Sequence, residues 1–190
     1  ADNGSLEIDE MNISRVTPYF GPTEALSLEA NGHEVGAHTK THVSLSAVAT
    51  STAIEEISGS RSSLLGLGLL PVDVMVYPYG DYNDAVEGWV EDAGFLGARS
   101  VDRGFNTKST DKYALKIQQL DETVTIDQVK AWIDTARTDK TWLVLMLHQV
   151  GEPGNFYNVS ASFLTEIADY LVNTGTPVRT LHQGLNLMNP

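Results

Sequence analysis

Cysteine is absent from the 190 residues, which excludes disulfides and thiolate metal ligands. Basic residues are scarce: 12 Lys and Arg stand against 25 Asp and Glu, for a formal net charge of −13. That balance argues against nucleic acid and anionic membrane as partners, since both are met by basic patches. No apolar run reaches the roughly 18 residues of a membrane-spanning helix. No secretory leader, internal repeat or low-complexity linker is visible, and the chain starts at Ala1 rather than Met. It is therefore expected to be a processed or trimmed piece of something longer. What is present, 42% apolar and 19% charged residues, suits one globular domain spanning residues 1–190.

Along the chain, strand-like and helix-like segments alternate. Residues 1–21 read as an irregular lead-in. "PTEALSLEANG" predicts a helix opened by Pro22 and stopped at Asn31-Gly32. "HEVGAH" predicts a short buried strand, and the stretch around Ile54, Ile57, Leu64 and Leu65 a second helix. "VDVMVYPYG" is a β-branched run stopped by Pro78 and Gly80. A helix capped by Asn83 follows, with Val86, Val90 and Ala93 on one face. "LGARSV" and "KIQQLD" are strand candidates, and a helix capped near Thr125 points Val129, Trp132, Ile133 and Ala136 inward. "TWLVLMLH" reads as a fully buried strand, "SASFLTEIADYLVNTG" as the last long helix, and "PVRTLHQGLNLM" as a strand with a helical turn. This order predicts an α/β fold with a parallel sheet, open or closed into a barrel. Functional residues then gather at the C-terminal strand ends, where "HTKTH", "YPYG" and "HQV" stand.

Three of the five histidines fall between Gly32 and Leu45. His38 and His42 are spaced i, i+4, which on a helical turn brings both imidazoles within reach of one ion. Taken alone, the spacing suits two polar loop residues as well. Lys40 points elsewhere, and Thr39 and Thr41 are expected to hold the loop through hydrogen bonds. His33 lies an odd number of residues from His38 on an extended segment, so it faces away and is structural. His148 ends an apolar strand, where a titratable residue suits a ligand or a general acid/base, or else a packing role. His182, near the C-terminus, reads as structural. "YPYG" is a rigid turn that can present a backbone N–H to an oxyanion and an aromatic wall to a sugar.

Taken together, these stretches resemble a known family. "GHEVGAHTKTHVSL", "YPYG" and "LMLH" look like the second, third and fifth motifs of the polysaccharide deacetylases, the NodB-like carbohydrate esterases. The resemblance implies a distorted (β/α) barrel and metal-dependent removal of N- or O-linked acetyl groups from an acetylated polysaccharide or oligosaccharide. It implies His38 and His42 as ligands of a divalent metal, Zn²⁺ first and Co²⁺ next. It implies Tyr79 as the oxyanion donor, His148 as the general acid, and Tyr77, Pro78, Tyr79 and Gly80 as the substrate-binding turn. An extracellular or cell-wall location follows from the same resemblance.

There are departures. The family's first motif, T-F-D-D, has no counterpart upstream of "HTKTH", where the acidic candidates are Asp2, Asp9 and Glu10. The chain is therefore expected to lack the first βα unit, the third metal ligand and the catalytic base, and to expose a strand edge open to a second copy. Val76 stands where the third motif usually has Arg. "SVDRGFN" replaces the fourth motif, with Asp102 or Arg103 as the candidates to tune the acid. The alternative function is a catalytically inactive carbohydrate-binding domain of the same fold, using Trp89, Trp132, Trp142 and the Tyr77/Tyr79 pair.

Overall fold

The computed structural model describes residues 21–151 and 154–188. The N-terminal lead-in, with Asp2, Asp9 and Glu10, lies outside the described residues. Helix α1, Pro22–Ala30, starts on Pro22, and the Glu24 carboxylate accepts the Gly21 N–H at 3.0 Å. It stops at Asn31, where Gly32 takes φ +87°, a conformation that costs glycine little.

Four parallel strands form one curled sheet, a partial barrel: β1 (Val74–Val76), β2 (Gly97–Arg103), β3 (Leu115–Gln119) and β4 (Leu145–Met146), in that spatial order. Helices α2 (Thr50–Gly66) and α3 (Asp84–Asp92) pack together and cover one stretch of it. Helix α4 (Ile126–Asp139) packs on α5 (Ala161–Asn173) over another, and α6 (Leu181–Met188) closes the chain. The expected caps are in place: Asn83 Oδ1 accepts from Val86 N, and Thr125 Oγ1 from Gln128 N. The core joins Ile57, Met75, Tyr77, Val86 and Val90 in one cluster and Leu120, Val129, Ile133 and Ile167 in another. A small parallel pair, β5 (Gln149–Val150) with β6 (Asn158–Val159), sits beyond β4.

Three segments depart from the sequence reading. "HEVGAH" is reduced to one parallel bridge, Ala37 to Met75. Ala37 N–H donates to the Val74 carbonyl, and Val76 N–H to that of Ala37. Thr39 turns left-handed (φ +65°) two residues later, which ends the extended run. "TWLVLMLH" is not fully buried. Only Leu145 and Met146 pair with β3, only Met146 is buried, and the stretch lines a cavity of about 1470 Å³. The C-terminal strand is absent. Thr180 Oγ1 accepts from Gln183 N, while Gln183 Oε1 accepts from Thr180 N. That reciprocal cap starts α6 instead.

Candidate functional site

The C-terminal ends of the 33–38 segment, β1 and β4 meet, as expected of a parallel α/β fold. His38 follows the bridge residue Ala37. Its Nδ1 lies 2.7 Å from the Val76 carbonyl. A carbonyl only accepts, so Nδ1 carries the hydrogen and Nε2 is left with its lone pair. The His42 ring stands edge-on to it with centroids 4.7 Å apart, and the Tyr79 ring stands 4.7 Å beyond His42. His38, Arg99 and His148 line the same cavity.

The backbone here is strained. Among the described residues four non-glycine residues have positive φ, and three of them are Thr39, His42 (φ +57°) and Tyr79 (φ +59°). Left-handed conformations at such residues persist only where the surroundings enforce them, and they cluster at functional sites. Two carboxylates enforce these. Glu56, on α2 and 8% exposed, accepts the N–H of Lys40 and of Thr41, each at 2.8 Å, and the Thr41 hydroxyl at 2.7 Å. It therefore grips the backbone between the two histidines. Asp81 accepts the Ser44 hydroxyl and the N–H and hydroxyl of Ser46. It thus ties the histidine loop to the turn that carries Tyr79, and the Ser44 hydroxyl leads in holding its carboxyl below the usual range.

Neither carboxylate was singled out by sequence reasoning. Thr41 holds the loop as expected, but Thr39 Oγ1 is buried without a partner. The available signal was Glu56 on the inner face of a predicted helix, where an unpaired carboxylate is costly.

Burial, foremost, pushes the His38 pKa down to about 4, with His42, Arg99 and His148 adding to it against the bond to Val76. His148 is lowered as well, first by burial, then by Arg99 and His42. Arg99 projects from β2, its Nη1 reaching the Ser100 carbonyl and the Met146 sulfur, and burial lowers its own pKa to about 10. Sequence reasoning placed the tuning role at Asp102 or Arg103. Asp102 instead accepts from Tyr82 Oη, and Arg103 Nη1 donates to the Gln119 carbonyl. Arg99 is the cation that acts on both imidazoles.

The turn after β1 is a short 3₁₀ segment, Pro78–Gly80. Among the described residues the Tyr79 N–H has no hydrogen-bond acceptor, and its ring is 66% exposed. Tyr77 is different: it is 1% exposed, stacks on Tyr82, and donates its hydroxyl to the Tyr113 carbonyl. It belongs to the core and not to a substrate groove, because strand alternation turns it inward. Pro78 is buried too. Gly80 is required by φ +70° and by Val101, which an added Cβ would overlap. His33 is exposed, and His182 is structural: its N–H donates to Glu34 and its Nδ1 lies 3.0 Å from Asp73.

His38 and His42 fit a borderline divalent metal. They are two adjacent imidazoles, one with its tautomer fixed by a carbonyl and kept neutral well below pH 7. Among the described residues no group of three His, Asp or Glu gathers around one point. No helix among them is long and apolar enough to cross a membrane.

The family model "Polysaccharide deacetylase" matches residues 5–98. No curated protein matches the chain. Among solved structures, the Streptococcus pyogenes deacetylase PplD in complex with acetate is 15% identical at TM-score 0.58 over 65% of this chain. A Bacillus cereus polysaccharide deacetylase is 24% identical at TM-score 0.54 over 61%. The family 4 carbohydrate esterase from Streptomyces lividans in complex with acetate is 17% identical at TM-score 0.52, over 81% of this chain and 68% of its own. The chain spans only 53% and 37% of the length of the first two.

Proposed function

We propose that the chain is a member of the polysaccharide deacetylase family, whose model matches residues 5–98, and that it hydrolyses acetyl groups from a polysaccharide at the strand ends that carry His38, His42, Tyr79 and His148. The supporting observation is the bond from His38 Nδ1–H to the Val76 carbonyl beside the His42 ring. It sets the tautomer a metal-ligating imidazole needs, at a spot where backbone strain is maintained by two carboxylates. His38 and His42 would hold a divalent cation, zinc or cobalt. Such an ion supplies Lewis acidity that polarises the acetyl carbonyl and acidifies water.

The remaining work falls to the chain's own groups. The Tyr79 N–H donates to the oxygen that gains charge as the carbonyl is attacked; a preorganised donor of this kind is worth roughly 10²–10³ in rate. His148 protonates the departing amine or alcohol. Because burial, Arg99 and His42 disfavour its imidazolium, that proton is held best on the acid side of the ordinary histidine range. Lys40 and Thr41 keep the histidines in place through Glu56. The net charge of −13 favours an uncharged acetylated glycan over an anionic one. An extracellular or cell-wall setting, where such glycans are accessible, belongs to the same reading. So does a second copy pairing along the open edge of the sheet, which light scattering tests.

Acetate release from acetylated chitin oligomers and acetylated xylan, with and without added zinc, tests the proposal. Release abolished by chelator and by His42→Ala is expected. A second reading, a glycan-binding domain without catalysis, is favoured by the two-histidine set among the described residues. It predicts glycan binding that is indifferent to chelator and no acetate.

A further inference from the structure

Two aromatic rings stand exposed beside the site without a role in the chemistry above. Phe156 is 46% exposed and Tyr157 40%. The Tyr157 ring lies 4.9 Å from the ring of His148, tilted by 46°, and Phe156 meets Tyr157 edge-on at 5.2 Å. Adjacent aromatics left in water are costly unless something covers them.

Their backbone is fixed. Tyr157 N–H donates to Asn155 Oδ1 at 2.9 Å, and the Phe156 carbonyl accepts from Glu122 N–H at 3.0 Å. The next residues, Asn158 and Val159, pair with Gln149 and Val150, and Val159 is buried in the core. The rings are thus presented by a pinned turn, which lowers the ordering cost of anything that binds them. The opposite partner of the site, Tyr79 against His42, is also exposed.

We propose that Phe156 and Tyr157 form a stacking platform for an uncharged pyranose ring, the sugar of the chain that lies past His148 when an acetylated unit is in the site. This rests on the deacetylase reading for which sugar sits in the site, but the platform is a binding claim of its own. A pyranose has one face lined by C–H groups, which matches an aromatic face. The acidic chain selects against uronic acids. A longer oligosaccharide reaches both the site and the platform, whereas a monosaccharide does not.

Calorimetric titration of the full chain with chitotetraose, acetylated xylotetraose and N-acetylglucosamine tests this. Binding of at least one tetrasaccharide is expected, weakened about tenfold in Tyr157→Ala and restored in Tyr157→Trp. Monosaccharide affinity and the thermal midpoint should stay unchanged. Phe156→Ala should act in the same direction. Equal tetrasaccharide affinity in wild type and Tyr157→Ala would overturn the platform, and so would no binding of either tetrasaccharide by the wild type. Platform-dependent binding with no acetate released would instead sink the deacetylase reading and leave the platform standing.

Discussion

Nδ1 of His38 sits 2.7 Å from the carbonyl oxygen of Val76, across the bridge that joins the histidine segment to β1. The bond and the burial around it make the neutral ring the folded form. The metal-free protein should therefore lose stability in acid. The folded pKa of about 4 lies below the ordinary 6.5, so the unfolded chain binds more protons between those values. The contribution is complete above pH 6.5 and disappears as pH falls toward 4, on the order of 3 kcal/mol in total. Urea unfolding of chelated protein from pH 8 to 4 measures it, and His38→Gln should flatten the slope across that window.

Glu56 should matter to the site although it touches no reacting group. Its carboxylate satisfies two backbone N–H groups and a hydroxyl between the histidines. Glu56→Ala removes the carboxylate that these part-buried bonds share, at about 1–3 kcal/mol of stability. Zinc affinity should fall about 10–100-fold, as for other groups that orient ligands. Glu56→Gln, which keeps one carbonyl acceptor, should lie between. Unfolding together with zinc titration separates the two effects, and unaltered zinc affinity in Glu56→Ala would contradict the grip on the loop.

Activity should depend on pH through His148. Its imidazolium is disfavoured by burial, Arg99 and His42, so kcat/KM for acetate release should climb as pH drops from 8 through the region below 6.5. Removing the cation with Arg99→Gln should move that limb toward higher pH. His148→Ala should cost about 10²–10⁴ in kcat and abolish the limb. A pH profile unaffected by Arg99→Gln would exclude Arg99 as the group acting on His148.

Gly80 has two reasons to be glycine, its φ of +70° and the side chain of Val101. Gly80→Ala should destabilise the protein by about 1–3 kcal/mol and displace the Tyr79 N–H, lowering kcat more than it raises KM. Adding Val101→Ala should recover part of the stability, since the overlap is relieved, but the strain of the left-handed backbone persists. Thermal unfolding of the single and double variants checks this.

The helices were legible in the sequence because their signals are local. Pro22, Asn83 and Thr125 mark starts, and the buried Val129, Ile133 and Ala136 share one face. The strand ends that gather the histidines followed from the alternation of elements. The strands themselves were harder, because "HEVGAH" and "TWLVLMLH" have the composition of buried strands, while their length depends on which neighbours pair with them. Tyr77 looked like a wall of the site, but its pleat sends it to the core. Arg99, Glu56 and Asp81 act across 15 to 61 residues of sequence, between elements whose contacts no local pattern records. The turn at YPYG, by contrast, was legible, because a turn is defined by its own residues; the structure sets its Tyr79 ring 4.7 Å from that of His42.

The central claim is that His38 and His42 hold a metal. Zinc content measured by elemental analysis after loading and dialysis tests it directly, on the wild type and on His42→Ala. About one zinc per wild-type chain, lost in the variant, is the predicted result. Zinc retained equally by both proteins, or by neither, would contradict it.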